Sequence, residues 1–187
     1  MDNFGFIPSS IRNTPPATNY GLFAQTADST LITATTVEGT LIGAGVGTLS
    51  VPANSFLVAD SFVGIFGGRM SAKNNDTLRI RVKSGSVMLG DSGLLTMPGI
   101  TNQVWSLNIN FTIRTVGAAG VASIVTIGEL LILKLASGTQ EGFGFNTLNN
   151  TTFNTTVPNT LNVTAQWSSN SALNSISSDL FVLNKIF

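Results

Sequence analysis

The amino-acid sequence predicts an all-β fold: a two-sheet antiparallel β-sandwich, jelly-roll-like, with an extended N-terminal arm. Three observations predict it. Over residues 104–114, Trp105, Leu107, Ile109, Phe111 and Ile113 share one parity, while Ser106, Asn108, Asn110, Thr112 and Arg114 share the other. Such a period of two puts one face in a core and the other in water, where a helix would spread the same residues around its circumference. The punctuation between segments is of β type: Asn74-Asn75-Asp76, Ser84-Gly85 and Asp91-Ser92-Gly93 all read as turns. No stretch carries helical periodicity or a helix cap. An immunoglobulin-like sandwich is the second choice, weakened by the missing cysteine pair.

The chain has 187 residues, the length of one domain, and its hydrophobic fraction of 43% argues against intrinsic disorder. Residues 1–27 read as the arm and residues 28–187 as the sandwich. Pro8, Pro15 and Pro16 lie in the arm, and Phe4, Phe6, Tyr20 and Phe23 are scattered through it without period. Aromatics so placed are costly to leave in water, so the arm is expected to lie on its own domain, a neighbouring subunit or a larger assembly.

The strands follow in order. Residues 29–37, 47–51 and 61–72 are candidates, the first two separated by a glycine-rich stretch at 39–47. That stretch lacks the Lys-Ser/Thr ending of a phosphate loop and reads as a bulged connection. At 77–83, Leu78, Ile80 and Val82 point in while Thr77, Arg79, Arg81 and Lys83 point out. Residues 86–89 form a short candidate. Residues 117–120 provide a hairpin turn between 104–114 and the apolar run at 121–135. Phe143 and Phe145, flanked by glycine, are expected to be exposed ahead of an Asn/Thr-rich segment at 146–156 that reads as a long loop or an extended edge. Leu161, Val163, Ala165 and Trp167 alternate with Asn162, Thr164 and Gln166. In the last strand Ile176, Leu180 and Val182 share a parity, but Phe181 and Leu183 take the other. That strand is therefore expected to be covered on both faces, as a central strand or at a subunit contact.

Composition excludes several classes of chemistry. Without Cys there is no disulfide framework, thiolate nucleophile or zinc–thiolate site, and without His the commonest general base and transition-metal ligand are missing. Nine basic and nine acidic residues balance to zero net charge with no basic block, so no nucleic acid partner is expected. The most apolar run, residues 121–136, is interrupted by Glu129 and Lys134 and falls short of the ~20 residues of a membrane span, so no membrane partner is expected. Residues 1–10 contain Asp2 and no basic segment, unlike a secretory signal. The carboxylates sit next to turns or stand isolated, and no pair among them marks a hydrolase. No catalytic residue, metal site or cofactor is expected. Trp105 and Trp167 fall on apolar parities and read as core.

Charged residues make up only 10% of the chain. Strand faces covered with Thr, Asn and Ser instead pack at wet interfaces without the cost of desolvating ions. That favours life inside an oligomer or shell.

The order of segments resembles a known group. TLIGAGVGTLSVPAN at 40–54 is followed by GRMSA at 68–72, NDTLRIRVK at 75–83, the strand at 105–114 and VPNTLNVTAQW at 157–167. Over residues 30–187 this is similar to bacteriophage and other viral structural proteins of jelly-roll type: tail-fibre, head-fibre or capsid-decoration modules. The resemblance implies a non-enzymatic virion component, often a homotrimer, displayed on a particle's capsid or tail. It supplies no catalytic residues. The expected partners are copies of the chain itself and, through the arm, other virion proteins. The alternative is a carbohydrate- or receptor-binding module at a fibre tip. Candidate contact residues for these partners are Phe4, Phe6, Tyr20, Phe23, Phe143 and Phe145.

Overall fold

The computed structural model describes residues 20–134 and 138–187. Those residues contain strands and no helix. The strands are β1 (Tyr20–Gln25), β2 (Ile32–Thr33), β3 (Gly39–Thr40), β4 (Gly45–Gly47), β5 (Ser50–Val51), β6 (Ser61–Ala72) and β7 (Thr77–Ser84). They continue as β8 (Val87–Asp91), β9 (Leu95–Thr96), β10 (Ile100–Thr115), β11 (Ser123–Leu133), β12 (Gln140–Asn149), β13 (Asn159–Trp167) and β14 (Ser175–Lys185). The larger sheet runs β12-β11-β10-β6-β14-β1-β4, with β2 added on β14. The smaller runs β3-β13-β7-β8, with β5 on β13 and β9 on β7. All pairings are antiparallel, and the two sheets stack as an open sandwich. It is jelly-roll-like in that the chain passes repeatedly from one sheet to the other.

The alternation in sequence becomes the inner faces. Leu107, Ile109 and Ile113 of β10, Phe62, Phe66 and Met70 of β6, and Leu78, Ile80 and Val82 of β7 are all buried. Trp105 and Trp167 are both core residues, and Trp105 Nε1 donates to the Ser177 carbonyl at 3.1 Å. The centre is aromatic. Phe66 and Phe181 stack at 3.9 Å between ring centroids, and Phe62 stacks on Phe111 at 5.0 Å. Burying rings of this size supplies much of the driving force for closing the two sheets.

Three differences from the sequence reading have local causes. Residues 20–25, assigned to the arm, are β1, hydrogen-bonded between β14 and β4; the rest of the arm lies outside the described residues. The candidate at 29–37 reduces to the two residues of β2, after which Ala34 takes a φ of 47° and turns the chain away. In β14 a bulge between Ser178 and Leu180 inserts one extra residue and reverses the parity. Ile176, Phe181 and Leu183 therefore all face the core, while Leu180 and Val182 face outward.

Two crossings close one end of the sandwich. Residues 73–76 lead from β6 to β7, and residues 168–174 lead from β13 to β14. Asn174, wholly buried, ties them together. Near the other end Asn149 plays the same part. Its side-chain carbonyl accepts from the amides of Thr151, Thr152 and Phe153, and its Nδ2 donates to the Met88 carbonyl of β8 at 2.6 Å.

Candidate interaction surfaces

The outer face of the smaller sheet carries the basic stripe Arg79, Arg81 and Lys83. The register sets these residues beside Gln166, Thr164 and Asn162 of β13. Asp91, opposite Arg81 across β7–β8, receives the Arg79 guanidinium through two nitrogens, with Nε at 2.8 Å. Glu38, just before β3, lies 3.0 Å from Arg81 and 3.3 Å from Lys83, and accepts from the Thr164 hydroxyl. Burial pushes Glu38 up, but the Thr164 and Lys83 hydrogen bonds and the charge of Arg81 and Lys83 outweigh it and hold the carboxyl below its ordinary value. Asp91 is also lowered, chiefly by the Arg79 hydrogen bond. The stripe is thus matched by carboxylates of neighbouring segments, and its chemistry is that of a charged, solvated face.

The outer face of the larger sheet is different in kind. Register alignment gives its rows directly. One row runs Gly142, Leu131, Ser106, Gly67, Leu180. The next runs Gly144, Glu129, Asn108, Ile65, Val182, Ala24. The third runs Asn146, Ile127, Asn110, Val63, Asn184, Gly21, and the fourth runs Leu148, Val125, Thr112, Ser61. Glu129 is the one ionisable residue in these four rows. Ile127, Leu148 and Leu180 are each about half exposed, at 51%, 50% and 48%. Between them β10 presents only polar side chains, Ser106, Asn108, Asn110 and Thr112, and the rows at either end of this face carry the exposed Arg69 and Arg114.

The candidate contact residues take varied positions. Phe4 and Phe6 lie outside the described residues. Tyr20 is the first residue of β1, paired with Lys185. Phe23, expected in a docking arm, is instead a core residue, its ring 5.4 Å from that of Phe181, because β1 belongs to the larger sheet. Phe143 and Phe145, expected to be exposed, face inward and are half-buried against the core. The reason is register: they pair with Leu130 and Gly128, which face the smaller sheet. The Phe145 ring occupies the space above Gly128, where a Cβ would meet ring carbon at 2.0 Å. Residues 146–149 continue β12 as an extended edge of the larger sheet, and the loop follows Asn149.

The sequence reading missed the outward residues of β6, β11 and β14. The signal was present in β6, where Val63 and Ile65 stand on the opposite parity from Phe62 and Phe66, and in 123–133, which is apolar on both parities.

Between the sheets an apolar cavity of about 70 Å³ is lined by Leu22, Leu49, Phe56, Phe62, Phe111 and Leu161 among others. At its rim the Ser84 hydroxyl donates to Asn159 Oδ1 at 2.9 Å. Among the described residues no group of three or more acidic side chains is placed to hold a metal ion.

No protein-family model matches the chain, and no curated protein matches it. Among solved structures, the chain is loosely similar to the CBM2 module of the evolved Dit of Lactobacillus casei BL23 phage J-1. The likeness has 11% identity over 74% of this chain and 68% of that one, with a TM-score of 0.32.

Proposed function

We propose that the chain is a non-enzymatic structural component of a virus particle, acting by association with copies of itself and with other virion proteins. The observation that supports this reading is the outer face of the larger sheet, where the half-exposed Ile127, Leu148 and Leu180 stand among uncharged polar residues and Glu129 is the one ionisable residue in four rows. Covering those rows removes apolar surface from water and desolvates a single charge. The carboxylates that have defined partners serve the fold. Glu38 and Asp91 hold the basic stripe, Asp60 holds Lys185 at 2.6 Å, and Asp76 caps the sheet crossings. The resemblance of residues 30–187 to fibre and decoration modules supplies the setting, a capsid or tail.

The test is made on the particle. Mass spectrometry of purified virions should find this chain, and a cryo-electron microscopy map should contain repeated density that the sandwich fits. Particles lacking the chain would overturn the reading.

The alternative, glycan or receptor binding at a fibre tip, would use Phe143 and Phe145, which are half-buried against the core. Glycan-array binding that is abolished by substituting either ring would favour it.

A further inference from the structure

We propose that residues 1–19 dock within their own chain, across the apolar end of the sandwich at which they join it. This docking needs no second copy, so it stands whether or not the chain assembles.

The surface lies opposite the crossings at 73–76 and 168–174. It is built from the loops at 52–60, 116–122 and 150–158 and from the two residues after β14. Backbone hydrogen bonds tie these segments together. The Asn54 amide donates to the Thr155 carbonyl at 2.8 Å, and the Thr155 amide donates to the Gly117 carbonyl at 2.9 Å. The Ala59 amide donates to the Ile113 carbonyl at 2.8 Å, and the Ser61 amide to the Phe187 carbonyl at 3.2 Å. Leu57, Val121 and Phe187 stand 66%, 65% and 69% exposed there, with Val58, Val157 and Ile186 exposed beside them. The three loops contain one ionisable residue, Asp60, which is buried and holds Lys185. Arg114, near the end of β10, is the exposed ion at their margin. Large apolar side chains gathered in this way mark an interaction site. Covering them removes apolar surface from water while desolvating few ions.

The point of entry identifies the occupant. Tyr20, the first residue of β1, pairs with Lys185, the neighbour of Ile186, so residues 1–19 join the sandwich at this same end. They bring Phe4, Phe6, Ile7 and Ile11, and Asp2 and Arg12 are their only ionisable side chains. An apolar, weakly charged segment is thus tethered to the rim of an apolar, weakly charged surface. The reach is sufficient. At ~3.3 Å per residue the fourteen steps from Phe6 to Tyr20 span up to about 46 Å. The five strands from β11 to β1, at about 4.8 Å spacing, are only ~20 Å across. A segment on a short tether acts at an effective concentration on the order of millimolar, so a second copy at micromolar concentration competes poorly for the same surface.

The chain has no cysteine, so Ser9→Cys accepts a single nitroxide label on the full chain. In methyl NMR spectra the label should broaden Leu57, Val58, Val121 and Ile186, and leave sharp Leu31 and Leu173, which are exposed at the opposite end beside Lys73. The broadening should persist when labelled chain is diluted into a tenfold excess of unlabelled wild type, as contact within one chain requires. Phe4→Ser and Phe6→Ser together should abolish it with the circular dichroism spectrum unchanged. They should also speed tryptic cleavage after Arg12, the one basic residue of the segment, at least tenfold. Methyls at this end that stay sharp, or that broaden no more than Leu31 and Leu173, would overturn the proposal. Broadening lost on dilution would overturn it in favour of a neighbouring copy's segment. Binding of wild type to phosphatidylcholine vesicles through these same residues would overturn it in favour of a lipid surface.

Discussion

Asn174 donates from Nδ2 to the Asp76 carboxylate at 2.7 Å while its Oδ1 accepts from the Lys73 amide at 2.9 Å. One buried side chain thus joins the two crossings that lead from sheet to sheet. Its own backbone carbonyl accepts from Thr33 Oγ1 at 3.0 Å, which draws β2 into the same corner. Asn174→Ala should lower stability by about 1–3 kcal/mol, since it leaves the Lys73 amide without its acceptor and opens a gap where a wholly buried side chain stood. Asn174→Asp should cost more at neutral pH, because it sets a second carboxylate against Asp76. Urea denaturation of the two variants checks both the size and the order.

Stability should fall on acidification. Asp76 is held low by hydrogen bonds from Ser169 and Asn174, Asp91 chiefly by Arg79, and Glu38 by partners that outweigh its burial. In each case the folded protein releases the proton more readily than the unfolded chain. The stabilisation is therefore fully present above the ordinary carboxylate values of 3.8 and 4.5, and it is lost as pH falls through the lower folded values. With no histidine in the chain, no histidine titration adds a step between pH 5 and 8. A thermal-unfolding series should show a midpoint level across that range and falling below about pH 4. A midpoint that rises on acidification would contradict the assignment.

Glu38→Ala should destabilise the smaller sheet by about 1–3 kcal/mol, because Arg81, Lys83 and the Thr164 hydroxyl lose their common acceptor. Added salt should narrow the difference between variant and wild type, as screening weakens the lost attraction. Paired urea curves at low and high salt measure this.

Adjacent glycines should respond in opposite ways. Gly68→Ala drives a Cβ into the Ser177 carbonyl oxygen, a backbone atom held in register by β14, and should cost several kcal/mol or prevent folding. Gly67→Ala meets nothing closer than 3.9 Å and should be neutral or stabilise the protomer by up to about 1 kcal/mol. Denaturation at low protein concentration separates these effects from association.

Removing one partner of the central stack, in Phe181→Ala, should cost about 3–5 kcal/mol, the usual range for an aromatic truncated in a closed core. The loss should be at the upper end, since Phe181 contacts both the Phe66 and the Phe23 rings. Calorimetry would show the shift in midpoint.

Much of this architecture was legible in the sequence because alternation survives wherever strands are regular. The rise and fall of Trp105 through Ile113 marked the long central strand, and 61–72 matched β6 in full. Legibility failed where local geometry broke the period. The bulge at Ser178–Leu180 reversed the parity of β14, so apolar residues that seemed to need cover on both sides divided into a core set and an outward set. It failed for Phe143 and Phe145 because flanking glycine reads as a loop, whereas here Gly128 clears space for an inward ring. The outer face itself was visible only in part. Apolar residues on both parities of β11 and β14 hinted at it, but only pairing across five strands brought Ile65, Ile127 and Leu180 onto one surface.

The most direct test of the central claim is the mass of the wild-type chain in solution, measured by sedimentation velocity from 1 to 100 µM. A chain that acts by association with copies of itself should sediment as an assembly over that range, or shift toward one as concentration rises. A single species with the 19.5 kDa mass of one chain at every concentration would contradict it.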